Sequence, residues 1–454
     1  MARRNLFLLI FLLFTAGAPA QGVLEGEPSE ALGAALVAAD FDGDGLDDLA
    51  VGAPRFTEGT SHYLGRVAVL RGGAGRPQAR AQWWRGPTPG ARFGFSLAAG
   101  DMDGDGKADL LIGAPSLHGG KGGVFLLRGG RGGLLGGGDL SGGGALAAFE
   151  GVIPTGGLGR TVASGDLDGD GLAELIIGQP NATVRHIPEA GRILVFKGRR
   201  RWKAGPLEIG RPGARPDLVI VGREHEGLGS RLLTCDLDGD GCAELLAGSP
   251  LLSVRGRPAS GSLLLFRGAK KLLARRRQIT LGRGDEGPTL EIQGRTGGGL
   301  GEALATLDAD GDGKPELIVS EPSRSRGRLH EAGLVHVLPA SLTGVLDVDA
   351  VPGGLIIAGQ AHGERLGAVL ETGRDSSGKT LLLVGSPRAG RVALFAPRFS
   401  KQDPPAPITA WMPPAGGKGR FGTTLATGRF RSRERFMAAV GEPRAGRVHF
   451  FPLP

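Results

Sequence analysis

Seven short apolar runs along the chain share one punctuation. DLAVGAP (48–54), DLLIGAP (109–115), ELIIGQP (174–180), ELLAGSP (244–250), ELIVSEP (316–322), LLLVGSP (381–387) and MAAVGEP (437–443) each end on Pro, at intervals of 61, 65, 70, 72, 65 and 56 residues. Some twenty residues before each Pro stands Leu or Phe followed by Gly: Leu32-Gly33, Phe93-Gly94, Leu158-Gly159, Leu228-Gly229, Leu300-Gly301, Leu366-Gly367 and Phe421-Gly422. After each Pro comes a second apolar run: GRVAVLRG (65–72), GGVFLLRG (122–129), GRILVFKG (191–198), GSLLLFRG (261–268), AGLVHVLP (332–339), GRVALFAP (390–397) and GRVHFFP (446–452). A weaker run follows around 82–86, 147–151, 218–222, 290–294, 355–359 and 408–412. Apolar runs this short, bounded by Gly, Pro and polar residues, read as strands.

Four short antiparallel strands per unit, repeated at this period, predict propeller blades. A single blade cannot bury both faces, so blades must stack in a ring. The seventh unit stops after its third strand, and an orphan run, VLEG (23–26), precedes the first unit. The expected fold is therefore all-β: a seven-bladed propeller of four-stranded antiparallel blades, closed by the N-terminal strand completing blade 7. Closure removes the open end-blade edges; a linear β-solenoid is the alternative. One domain, 21–454, follows a leader, 1–20. Arg3 and Arg4, the apolar stretch 6–14 and Ala18-Pro19-Ala20 form a secretory signal with cleavage expected after Ala20. That predicts a secreted, extracellular or cell-surface protein (periplasmic in a bacterium) without a transmembrane segment.

Composition narrows the chemistry. Gly supplies 84 of 454 residues without a Gly-X-Y period, which excludes collagen, and two Cys exclude a disulfide-rich scaffold. The chemistry sits in acidic loops between the first and second strands of five units: DFDGDGLDD (40–48), DMDGDGKAD (101–109), DLDGDGLAE (166–174), DLDGDGCAE (236–244) and DADGDGKPE (308–316). Side chains at loop positions 1, 3, 5 and 9, with a backbone carbonyl at position 7, would give an oxygen-rich shell that suits Ca²⁺. The candidate ligands are Asp40, Asp42, Asp44, Leu46 and Asp48; Asp101, Asp103, Asp105, Lys107 and Asp109; Asp166, Asp168, Asp170, Leu172 and Glu174; Asp236, Asp238, Asp240, Cys242 and Glu244; and Asp308, Asp310, Asp312, Lys314 and Glu316. About five Ca²⁺ are expected. An EF-hand needs Glu at position 12, where these loops have Val51, Ile112, Ile177, Ala247 and Val319. The sixth unit has Gly373, Asp375 and Ser377 at positions 1, 3 and 5, and the seventh Arg429, Arg431 and Arg433. Neither is expected to hold metal, and guanidinium groups in the seventh are expected to fill the cation's place.

This pattern of FG, then DxDGDGxx[DE], then GAP, resembles the FG-GAP repeat of the integrin α-subunit propeller over essentially all of 22–454. The resemblance implies seven blades, calcium in hairpin loops on one face, and a role in adhesion and ligand binding. The chain departs from integrin α in lacking leg domains, an inserted domain and a membrane helix, and in placing its acidic loops in the first five blades.

Strand alternation puts the acidic loops on one face. The other face should carry His62, Tyr63, His118, His186, His225, His330 and His362 with Arg55, Arg185, Arg255, Arg257, Arg324, Arg326, Arg328, Arg388 and Arg444. Ordinary polar loops and a recognition face for an anionic partner are the two readings. The net charge is +8 although the five loops hold 21 of the 46 acidic side chains, so the remainder is basic. Expected partners are a protein or an anionic glycan or other surface polymer. Specific nucleic-acid binding is not expected, because no aromatic interleaving accompanies the basic runs 199–203 and 270–277. A monomeric ring is expected. Cys235 and Cys242 flank the fourth loop, where a local disulfide is expected and two free thiols are the alternative. Asn181-Ala182-Thr183 is a glycosylation sequon, and the Gly-rich 129–144 a flexible insertion. Arg283-Gly284-Asp285 is discounted as a chance tripeptide. With no GxSxG, HExxH or Cys–His pairing at a recognisable spacing, the function read from the residues is a non-catalytic, calcium-binding binding or adhesion module. A funnel enzyme of hydrolase or lyase type and a structural envelope or matrix subunit are the alternatives.

Overall fold

The Gly of each FG and the Gly of six of the seven GAP runs explain the architecture. In a computed structural model, residues 22–73, 81–134, 140, 145–275, 278–283, 287–396, 407–413, 420–432 and 435–454 are described. The leader 1–20, Gln21, Arg433, part of the Gly-rich stretch, residues 276–277 of the second basic run, and Gly284 and Asp285 lie outside them. Within a blade, the FG glycine N–H donates to the GAP glycine carbonyl: Gly33 to Gly52 at 3.0 Å, Gly94 to Gly113 at 3.1 Å, Gly159 to Gly178 at 3.2 Å. Between blades the same glycines touch. A Cβ on Gly113 would lie 2.0 Å from the Gly159 oxygen, and one on Gly52 2.1 Å from the Gly94 oxygen. No side chain fits at these two contacts, so their motif glycines are fixed by blade-to-blade approach; in blade 5 Ser320 takes the GAP-glycine place, facing Gly367 of blade 6.

Seven sheets result. Blade 1 is Ala35–Ala39, Asp48–Ala53, Arg66–Leu70 and Ala81–Arg85, all antiparallel. Blades 2 to 6 repeat the order from inner strands Ser96–Gly100, Thr161–Gly165, Arg231–Cys235, Leu304–Leu307 and Val369–Arg374. Blade 7 is Thr424–Ser432, Arg435–Glu442 and Arg447–Pro452, and its fourth strand is Gly22–Glu25, paired antiparallel with Val23 opposite His449 and Leu24 opposite Val448. The inner strands pack side by side around the axis, the seventh against the first. Apolar clusters fill each wedge between blades; Leu111 and Phe149 of blade 2, for example, meet Ile177 and Phe196 of blade 3.

Blades 2, 3 and 4 carry a fifth strand that the sequence reading did not anticipate. Pro206–Glu208, Gln278–Thr280 and Gly344–Asp347 each come from the connection between the third and fourth strands of the following blade. They add in parallel to Ala147–Glu150, Leu218–Val221 and Leu290–Gln293. Each covers an outer edge that would otherwise be open. With one to two apolar residues in three or four, these strands carry too little periodicity to be read.

Candidate metal centres

Each acidic loop is anchored before its carboxylates are placed. The position-2 residues Phe41, Met102, Leu167, Leu237 and Ala309 are buried and pin the loop to the core. The position-1 carboxylate then closes the turn: Asp40 Oδ1 accepts the Gly43 N–H at 2.7 Å and its Oδ2 accepts that of Gly45 at 2.8 Å. Asp101, Asp166, Asp236 and Asp308 do the same in their loops. The position-9 carboxylate reaches back from the second strand. Asp48 accepts the N–H groups of Phe41 (3.1 Å) and Gly72 (2.7 Å), and Asp109 those of Met102 (3.1 Å) and Gly129 (2.9 Å).

Positions 1, 3 and 9 thereby converge. In Asp40/Asp42/Asp48, Asp101/Asp103/Asp109, Asp166/Asp168/Glu174, Asp236/Asp238/Glu244 and Asp308/Asp310/Glu316, three carboxylate oxygens lie within 4.8 Å of one another. Position 5 stands outside this tight group. Asp44, Asp105, Asp170, Asp240 and Asp312 each accept the N–H of position 7, at 2.8 to 3.0 Å. The position-7 side chains of Lys107, Leu172 and Cys242 lie instead over the position-4 glycine of the preceding loop; a Cβ on Gly104 would meet Leu172 at 2.7 Å.

The electrostatics call for a cation. Burial pushes Asp48 and Asp109 up to about 7 and Glu174 up to about 8; the adjacent position-3 carboxylate adds to the push, and the backbone donors oppose it. Burial likewise raises Glu244 and Glu316. Asp168 Oδ1 is buried with no hydrogen-bond partner. An all-oxygen donor set, with a converging triad and an orphaned oxygen, fits a hard divalent cation.

A basic partner of four of the five loops went unread in the sequence. Arg71, Arg128 and Lys197 approach the position-3 carboxylates of Asp42, Asp103 and Asp168 at 3.0, 2.6 and 2.5 Å, and Arg267 stands 3.7 Å from Asp238. Its signal was the cation ending the third-strand motifs VLRG, LLRG, VFKG and LFRG; in blade 5 that place is Pro339. Each cation offsets part of the carboxylate repulsion from outside the triad.

Blades 6 and 7 gather no such triad among the described residues. In blade 6, Asp375 turns its carboxylate onto Ser377 and Lys379. In blade 7 the strand continues through Ser432, so the expected loop filled by guanidinium groups is replaced by a tighter hairpin. Arg429 lies over Phe436 at 4.7 Å.

The expected disulfide is also corrected: Cys235 and Cys242 are free. The two thiols face different neighbours. Cys242 Sγ lies where a Cβ on Gly169 of blade 3 would meet it at 2.8 Å, whereas Cys235 packs among apolar residues shared by blades 4 and 5. The basic run 199–203 is partly structural. Arg199 pairs with Asp217 at 3.3 Å, and Trp202 donates to the Met102 carbonyl at 3.3 Å. Leu134 and Leu140, within the Gly-rich stretch, are buried in the core.

The FG-GAP repeat model matches residues 32–70, 93–127, 158–196 and 300–338, the motif Leu/Phe-Gly through the third strand of blades 1, 2, 3 and 5. Four of the seven blades are thus similar to the FG-GAP repeat. The chain is 32% identical to the mouse (Mus musculus) phosphatidylinositol-glycan-specific phospholipase D over 187 residues, 39% of the chain and 20% of that protein. It is 29% identical to integrin alpha-V of Gallus gallus over 229 residues, 48% of the chain and 20% of the relative. Human (Homo sapiens) integrin alpha-IIb matches at 29% over 236 residues, 50% and 20%. The chain thus spans about a fifth of the length of these relatives. Among solved structures, the hydrazine synthase of Kuenenia stuttgartiensis superposes with a TM-score of 0.50 at 10% identity, covering 94% of this chain and 97% of that one, a likeness of fold. No helix among the described residues is long and apolar enough to cross a membrane.

Proposed function

We propose that the protein is a secreted or cell-surface calcium-binding propeller that acts as a non-catalytic binding or adhesion module. The five carboxylate triads, repeated at one place in five blades, carry the metal reading. In each loop the carboxylates at positions 1, 3 and 9 would hold Ca²⁺, joined by position 5 and the position-7 carbonyl. Bound calcium supplies the charge that buried residues such as Asp109 and Glu174 otherwise lack. The protein's own part is to pre-arrange the oxygens through backbone N–H groups, so that little ordering remains to be done on binding. The integrin relatives support the adhesion role, and the candidate leader 1–20 supports export.

The phospholipase relatives favour a second reading, an enzyme. The funnel chemistry supports it less, because its ionisable lining consists of arginines and one glutamate, Glu302, already paired with Arg365. Two assays separate the readings. Retention on surface glycans and proteins that is lost in EDTA supports a calcium-dependent binding module. Turnover of a glycosylphosphatidylinositol by the purified chain would overturn the non-catalytic reading.

A further inference from the structure

On the face opposite the acidic loops, the ends of the inner strands surround a cavity of about 820 Å³. Its floor is aliphatic, with Leu97, Val162, Leu232 and Leu304 contributed by successive blades. Its rim is cationic. Arg160, Arg231, Arg365, Arg388 and Arg420 line it against a single acid, Glu302. Four of these five arginines fall outside the set expected on this face from the sequence; only Arg388 belongs to it.

The guanidinium groups form two clusters that the protein neutralises only in part. Arg231 spends its hydrogen bonds on the backbone carbonyls of Glu302 and Ser230, at 2.7 and 2.8 Å, and Arg160 lies over the Phe95 ring at 5.4 Å. Arg365 pairs with Glu302 at 2.9 Å, and Arg388 pairs with Glu331. Exposed Arg420 has Arg365, Arg388 and Arg444 as its charged neighbours, all of its own sign. Like charges held together over a low-dielectric wall focus a positive potential into the cavity.

Two of these arginines also sit on a costly backbone. Arg365 and Arg420 have φ of 51° and 63°, in the left-handed region that costs any residue with a Cβ. At the matching position, just before the Leu/Phe-Gly motif, blades 1 and 2 have Ala31 and Arg92 with φ of 57° and 55°, and blades 3, 4 and 5 have Gly157, Gly227 and Gly299 with φ of 64°, 62° and 68°. The fold accepts glycine there, so a side chain at this position is a cost the turn does not require, and in blades 6 and 7 that side chain is an arginine lining the cavity.

We propose that the funnel binds an acidic segment of a partner protein, with its carboxylates on the two arginine clusters and an apolar side chain on the aliphatic floor. Arginine suits this work because its planar fork bonds a carboxylate with two parallel hydrogen bonds. Tyr63, Leu251 and Met412 favour a protein over a polysaccharide: all three are exposed on this same face, Leu251 at 76%. Aromatic residues, Met and Arg are enriched at protein interfaces. The proposal rests on the binding-module reading but not on the metal.

The test uses the full chain in calcium and a fluorescent peptide alternating Glu and Leu, with a Lys–Leu peptide as control. Anisotropy should show the acidic peptide binding, more weakly at high salt, and the control not binding. Arg160→Gln and Arg420→Gly should each weaken binding by about tenfold or more. Arg420→Gly should leave Tm unchanged or raise it, since glycine relieves the left-handed backbone. Failure of the acidic peptide to bind, or equal affinity in both variants, would overturn the proposal. So would a sulfated polysaccharide that needs these arginines while the peptide does not bind. Calcium stoichiometry and phosphodiester turnover are measured separately, so a failure of the metal or non-catalytic reading is distinguishable from a failure here.

Discussion

Blades 1 to 5 and blades 6 and 7 occupy equivalent places in one ring, yet their first hairpins are built by different physics. In the first arc the hairpin tips are polar, carboxylate-rich and chained together. The Ala108 N–H donates to the Asp40 carbonyl at 3.1 Å, Ala173 to Asp101 at 2.8 Å, and Ala243 to Asp166 at 2.7 Å. In the second arc the tips close on themselves, through Asp375 in blade 6 and continued strand pairing in blade 7. Where the arcs meet, Asp47 of blade 1 accepts the Arg429 N–H at 2.7 Å. The propeller therefore does not need a metal-competent loop in every blade. The triads are an addition to hairpins that can otherwise close with ordinary hydrogen bonds.

The largest expected effect breaks the symmetry between the arcs. Ligand that binds only the native state at a hundredfold excess over Kd contributes about 3 kcal/mol per site. EDTA should then lower Tm by on the order of 10 °C. Hydrogen exchange should speed up in the loops 40–48, 101–109, 166–174, 236–244 and 308–316 and change little around Asp375. An unchanged melting curve and uniform exchange would abolish the distinction.

The second arc has its own weak point, the closing strand. Leu24 is 1% exposed, within a cluster joining blades 7 and 1. Leu24→Ala should cost about 3 kcal/mol. Denaturant melts should give the same loss with and without calcium, because no triad lies in that blade among the described residues. A loss present only in calcium would tie closure to the metal arc.

Much of this contrast was legible in the sequence. Seven FG and six GAP glycines, the acidic spacing and the orphan VLEG run each reflect a constraint local to a few residues: blade contact, turn closure, or an unpaired strand. The predicted fourth strands fall within a residue or two of those observed, since turn glycines mark their ends. What escaped depends on three-dimensional approach. The parallel fifth strands pair segments some sixty residues apart. The arginine funnel assembles Arg160, Arg231, Arg365, Arg388 and Arg420 from separate blades, with no shared spacing. Cys235 and Cys242 are close in sequence, but their side chains diverge toward different blades.

Smaller effects sharpen the comparison. Asp109→Asn keeps the shape of the loop but removes a ligand charge, so calorimetry should count one ion fewer while blade 6 keeps its exchange protection. In blade 6, Glu371 stands on the inner strand where the register of the other blades has Val37, Ala98, Ala163, Leu233, Ala305 and Ala426. Burial pushes it up to about 7 from 4.5. A raised carboxyl stabilises the fold fully below its unfolded value, and that stabilisation is lost as pH rises through 7. Glu371→Gln should therefore raise Tm at pH 8 and leave it nearly unchanged at pH 4.5. An equal shift at both pH values would contradict this.

The division between the arcs stands or falls on an ion count. Isothermal calorimetry of the calcium-stripped chain at neutral pH should find close to five Ca²⁺ per chain, one for each carboxylate triad. A count near zero would contradict the metal reading of the loops, and a count near seven would contradict the difference between the arcs.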